Sequence, residues 1–135
     1  MTGVFGRRRR GQGLIEAALV LPVLVFLLLV MVDFACMLST KAALTSAARE
    51  GARAYAVYQD ADRARQVAEK NLRDSVLAYT GKCRVDVSPS GGYVTVTVSY
   101  DQPVLVPGVF RLLGGKAMPS AVTLSSAAVF RIEPR

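Results

Sequence analysis

The sequence predicts an α+β protein: a long N-terminal transmembrane helix continuing into an outer helix, then a second helix packed on a small antiparallel sheet of three to four strands. Three observations predict it. Residues 17–32, AALVLPVLVFLLLVMV, carry no charge. From residue 39 to residue 79 small and apolar residues recur at helical spacing. From Cys83 onward the period changes to the alternation of a half-buried strand.

The apolar run comes first. Extended to Leu14 and Leu38, it exceeds the roughly 20 helical residues that cross a hydrocarbon core of about 30 Å. A helix apolar on every side is not what a small soluble domain buries. The 135 residues thus divide into a basic leader (1–11), a transmembrane helix (12–38) and an extracytoplasmic α+β domain (39–135). Pro22 lies inside the span. It removes one helical hydrogen bond and commonly bends a helix, which membrane helices tolerate better than soluble ones.

The formal net charge is +7, but Arg7, Arg8, Arg9 and Arg10 supply more than half of it. The basic character is therefore mainly a topology signal. It places the N-terminus in the cytoplasm and residues after about 39 outside. No basic stripe is interleaved with aromatics, so nucleic acid is excluded as a partner. There is no histidine and no CxxC, so a zinc site is excluded as well. Cys36 falls at membrane depth, which argues against a disulfide with Cys83. Both read as small, unpaired apolar residues.

The leader does not look like an ordinary secretory signal. Its apolar stretch is too long, and no Ala-x-Ala follows. DFAC at 33–36 has the cysteine of a lipidation site, but Asp33 and Phe34 spoil the match. Gly11 offers a different cut. Cleavage between Gly11 and Gln12 would fall before the apolar run and keep the helix in the membrane. Gly11 leaves room for a protease at the backbone. Glu16 would become the fifth residue of the mature chain, one helical turn from a newly charged α-amine that it could neutralise.

In the outer helix, Ala43, Ala47, Gly51 and Ala54 fall on one face and admit a closely packed neighbour, either the chain's own sheet or another subunit. Glu50 and Arg53 are spaced to pair. QDAD at 59–62 breaks the helix, with Asp60 as the cap of the next one. That helix spans 61–79, with Ala64, Val67, Ala68, Leu72, Val76 and Tyr79 on its apolar side. Glu69 and Arg73 pair across one turn of its exposed side, and Gly81 stops it.

CRVDVS (83–88) and YVTVTVSY (93–100) read as a hairpin about a PSGG turn. Val94, Val96, Val98 and Tyr100 share one face. QPVLVPG is a short extended piece, and VFRLLGGKAMP a loop or single helical turn. AVTLSSAAVFRIE alternates again, with Val122, Leu124, Ala128, Phe130 and Ile132 on one side. The helix over 61–79 would cover the apolar face of this sheet.

The stretches RGQGLIEAALVLPVLVFLLLVMVDF and ALTSAAREGARAYAV, with the ending VTLSSAAVFRIEP, resemble the TadE-like family of tight-adherence (Flp-type) pilus assembly proteins. The resemblance extends over nearly the whole chain. It implies a pseudopilin cut by a prepilin peptidase between Gly11 and Gln12. Glu16 would serve assembly with other pilins or pseudopilins and the Tad machinery. The protein would sit in the bacterial inner membrane, in the pilus or at its base. Two departures from the major pilins of such systems, Ala17 where they carry tyrosine and a whole outer domain where they are very short, point to a minor component. The other class is an unprocessed single-span anchor whose outer domain binds a ligand or supports a secretion channel. An enzyme is the weakest reading. No nucleophile motif or phosphate loop is present, Asp86 and Asp101 lack a supporting pattern, and neither a cofactor nor a small-molecule substrate is implied.

Overall fold

The computed structural model describes residues 6–77, 79–112, 114–116 and 119–132. Helix α1 runs from Gly6 to Tyr58, 53 residues without interruption, which is about 80 Å at 1.5 Å per residue. Pro22 does not end it. Between Gly13 and Val32 no residue is buried. This face-independent exposure of leucine, valine and isoleucine is what a helix surrounded by lipid presents. The stretch is long and apolar enough to cross a membrane.

From Asp33 on, the same helix becomes one wall of a folded domain. Its buried positions are Asp33, Thr40, Ala43, Leu44, Ala47, Ala48, Gly51, Ala52 and Ala54. They recur every three or four residues and so form a single stripe. The predicted small-residue face is thus filled from within the chain. A Cβ on Gly51 would lie 3.0 Å from Ala68 Cβ, 3.2 Å from the Ala64 carbonyl oxygen and 3.3 Å from Val96 Cγ1. Only a bare backbone lets α2 and the sheet close on α1 together. Glu50 and Arg53 do not form the ion pair their spacing allows; among the described residues the pairs are Arg65–Asp62 at 3.1 Å and Arg73–Glu69 at 3.3 Å.

Helix α2 covers Ala61–Ser75. The Asp60 carboxylate accepts from the amides of Asp62 and Arg63, as a cap should. The helix ends earlier than its periodicity implies. Val76 turns extended, at φ −96° and ψ 120°. Burial decides this. The turn puts Val76 into the core and brings Tyr79 to stack on Tyr100 at a ring separation of 5.6 Å. Gly81, at φ 76°, therefore belongs to the loop into the sheet and does not cap a helix.

Three strands follow: β1 (Cys83–Ser90), β2 (Tyr93–Pro103) and, after a short helix α3 (Val106–Leu112), β3 (Ala121–Arg131). They form an antiparallel sheet in the order β1-β2-β3. The β1–β2 turn is narrower than PSGG. It consists of Gly91 and Gly92, both at positive φ, the conformation favoured in two-residue hairpins. Val94, Val96, Val98 and Tyr100 are fully buried. Opposite them in register stand Phe130, Ala128, Ser126 and Leu124. Val122 and Phe130 share that face but stay partly exposed at its ends.

The expectation that the second helix covers the sheet needs correction. α1 lies across β2 and β3, while α2 packs chiefly on α1 and reaches β1. Alanine and glycine on α1 let it approach the sheet more closely than a leucine-faced helix can. QPVLVPG also changes identity: its first residues extend β2 to Pro103, and its last ones open α3.

Gly51→Val is expected to destabilise the outer domain by about 1–3 kcal/mol, the usual cost of overpacking. Thermal unfolding of the detergent-solubilised protein checks this, with exposed Ala42→Leu expected to stay within about 0.5 kcal/mol of wild type.

Candidate processing and assembly site

The predicted site lies at the start of α1. The backbone of Gly11 and Gln12 is helical; the side chains of Arg7–Arg10, Gly11 and Gln12 lie outside the described residues. Gly13 has no neighbour within 4 Å of an added Cβ, and Glu16 is exposed. Gln12 and Glu16 are four residues apart on one helix. They therefore share a face, about 6 Å apart along the axis. Leu, Ile, Val and Phe fill most of residues 14–32, each favouring insertion by roughly 0.3–0.6 kcal/mol. Together these fourteen residues outweigh the roughly 2.5–3.5 kcal/mol that a carboxylate would cost even at the bilayer centre.

A second carboxylate closes the apolar run at its other end. Asp33 is 6 % exposed. Its Oδ1 accepts from the Leu105 amide at 3.0 Å, and its Oδ2 accepts from Leu105 at 3.1 Å and Val106 at 2.8 Å. Both donors are at the N-terminal end of α3. The short helix is thus capped by a side chain from another element, where its unsatisfied amides and partial positive charge favour an anion. Sequence reasoning treats Asp33 only as part of a motif. The available signal is its position, a lone acid at the far end of a charge-free run.

Further along α1, Thr40 Oγ1 donates to Gln102 Oε1 at 2.7 Å. Lys41 Nζ donates to the Ser125 carbonyl, and the hydroxyls of Thr45 and Ser126 lie 3.0 Å apart. These polar contacts hold β2, β3 and the β2–β3 connection against the membrane-proximal part of α1. The Ala43, Ala47, Gly51 and Ala54 stripe lies above most of them, far from Glu16. The structure does not bring the two groups of predicted residues together.

Among the described residues the remaining titratable groups form no reactive constellation. Asp86 stands opposite Thr97, four residues along β2 from Asp101, or about 13 Å away. Asp101 accepts from Thr123 Oγ1 at 2.6 Å, which accounts for it structurally. Among the described residues no three His, Cys, Asp or Glu side chains converge as metal ligands do. Cys36 and Cys83 are free thiols. Burial, then the nearby Glu69 charge, pushes the Cys83 thiol above its ordinary pKa. Burial, assisted by the Cys83 and Glu69 charges and opposed by Arg73, likewise raises Tyr79.

Residues 11–53 match the family model described as TadE-like protein. The match begins at Gly11 and ends within the outer half of α1, so α2 and the sheet lie beyond it. No curated protein and no solved structure matches the chain.

Two outcomes are expected from this geometry. Asp33→Leu, which removes the acceptors of two amides, should weaken docking of the α3 segment by roughly 1.5–3 kcal/mol. Limited trypsin digestion at Arg111 and Lys116 should accelerate, while Asp33→Asn, retaining one carbonyl acceptor, should lie between. In a Cys36→Ser background, alkylation of Cys83 by iodoacetamide depends on its thiolate. Because the folded protein disfavours that anion, the pH–rate midpoint should lie above that of the same chain unfolded in urea.

Proposed function

We propose that this chain is a minor pseudopilin of a tight-adherence, Flp-type type IV pilus. On this reading it is made as a precursor and cut between Gly11 and Gln12 by a prepilin peptidase. It is held in the bacterial inner membrane, with Arg7–Arg10 inside and residues 40–135 outside. It is a structural component without catalysis of its own, and its partners are other pilins or pseudopilins and the Tad assembly machinery. One observation carries the reading: the segment matching the TadE-like family starts at Gly11, where the arginine cluster gives way to the polar lead-in of a membrane-length helix.

The chemistry explains why processing would precede assembly. A subunit that leaves the bilayer outward must draw its N-terminus through the hydrocarbon. With the leader attached, four guanidinium groups follow, at roughly 2.5–3.5 kcal/mol each on insertion scales. Hydrolysis of the Gly11–Gln12 peptide leaves those arginines behind on the leader and frees an α-ammonium on Gln12. The Glu16 carboxylate, one turn away on the same helix or on an adjacent subunit, neutralises that charge. In surroundings of low dielectric such a pair attracts far more strongly than in water. Hydrolysis thus replaces four unpaired charges with one matched pair.

Mass spectrometry of protein from its native host is expected to find Gln12 as the first residue. Gly11→Val should leave the precursor intact, because a branched side chain crowds the scissile backbone. Glu16→Ala should insert and be cut, yet fail to support pili or to co-purify with pilus partners, while Glu16→Asp keeps part of the function. Retention of Arg7–Arg10 in the wild-type protein would leave an unprocessed membrane anchor as the better reading. Normal piliation by Glu16→Ala cells would remove the charge-pairing role.

A further inference from the structure

The β2–β3 connection, residues 104–120, is far longer than a hairpin turn needs. Pro103 pairs with Ala121, and the Val104 amide donates to the Ser120 carbonyl at 3.1 Å, so the strands pinch its base. Between them the chain makes an excursion down α1. Gln102 meets α1 at Thr40, while Leu105 meets it at Asp33. Those contacts are seven residues apart on α1, or about 10 Å along the axis.

The depth it reaches is fixed by the span. Counting the roughly 20 residues that cross a hydrocarbon core from Leu14 places the outer boundary at Asp33. Leu105 is tied to that residue and is 54 % exposed. A second loop reaches nearly as deep. Leu77, 89 % exposed, borders a groove of about 270 Å³ lined also by Val32, Ala35, Cys36 and Ser39. Two large aliphatic side chains are therefore presented at the membrane-facing end of the domain. Arg111 and Lys116 on the excursion, and Lys82 after the first loop, are exposed as well. Exposed apolar and basic side chains carried on the same loops are what an element lying in a lipid interface requires.

We propose that this end of the domain is a lipid-binding surface. Leu77, Leu105 and the first turn of α3 sit in the interfacial region of the outer leaflet, with Lys82, Arg111 and Lys116 facing lipid phosphates. Asp33 joins the span to this surface and sets its depth. The inference rests on the reading of residues 14–32 as a membrane span. The bilayer is chosen as the occupant because this surface is continuous with the lipid-exposed face of α1.

The chain contains no tryptophan, so single substitutions give unambiguous fluorescence. The full-length protein would be reconstituted in phosphatidylcholine–phosphatidylglycerol vesicles. Some vesicles would carry lipids brominated near the glycerol end of the acyl chains, others lipids brominated near the chain terminus. Val25→Trp reports the span, Leu77→Trp and Leu105→Trp the proposed surface, and Val57→Trp the distal end of α1. The expected result is loss of most Leu77→Trp and Leu105→Trp emission to the shallow quencher, quenching of Val25→Trp by the deep one, and none for Val57→Trp. Leu77 is so exposed that its replacement disturbs no packing. It therefore decides the question even if Leu105→Trp misfolds. Quenching of Val25→Trp with water-exposed, unquenched Leu77→Trp overturns the surface and leaves the span intact. If Val25→Trp also escapes quenching, the span reading falls and the surface with it.

Discussion

One helix has to satisfy two solvents. Up to Val32, α1 must offer lipid an apolar surface on every side. From Asp33 it must offer the rest of the chain a narrow stripe and leave charges outside. The second requirement governs the domain. Ala47, Ala48, Gly51 and Ala52 are buried without a large side chain among them, so α2 and β2 supply the bulk: Leu72 from one, Val94, Val96, Val98 and Tyr100 from the other. Each fully buried aliphatic side chain of this kind contributes roughly 1.5–3 kcal/mol. The layers can meet only because the helix backbone between them is bare at Gly51.

Polar bonds complement this packing where the helix leaves the apolar core. Near the membrane the stripe changes from alanine to Thr40 and Asp33, and the partners change to Gln102 and the amides of Leu105 and Val106. A carboxylate at the end of a lipid-exposed run would be costly if left bare. Two backbone donors satisfy it, and those donors in turn have no partner inside their own short helix. Each group meets the other's requirement.

Much of this was legible in the residues. Alternation from Tyr93 to Tyr100 identifies a strand and its two faces, because period two admits one register. Asp60 as a cap and Glu69–Arg73 as a pair are local, and local chemistry is readable. What could not be read depends on residues distant in sequence. The amides that Asp33 serves are 72 and 73 positions away. The end of α2 at Ser75 is set by the Tyr79–Tyr100 stack, not by a local stop signal. Which element lies over the sheet depended on how closely α1 approaches it, and the amphipathic pattern of 61–79 pointed to the wrong helix. The processing site is the reverse case. The proposed cut at Gly11 and Gln12, with Glu16 beyond it, is a reading of order, spacing and family resemblance, and the fold adds only that the three residues share one unbroken helix.

The absence of any break between span and domain has a consequence for orientation. In many anchored proteins a flexible linker lets the outer domain turn freely about its tether. Here the angular phase of the membrane segment fixes that of the sheet, because α1 is helical through both. Whichever side of residues 14–32 meets a neighbouring helix also determines which side of the domain faces that neighbour's domain. One residue added between Phe34 and Ser39 would shift the domain by only about 1.5 Å along the axis but turn it by about 100°. Length in this segment is therefore an angular coordinate, and substitutions that preserve it leave the relative facing of the two halves intact.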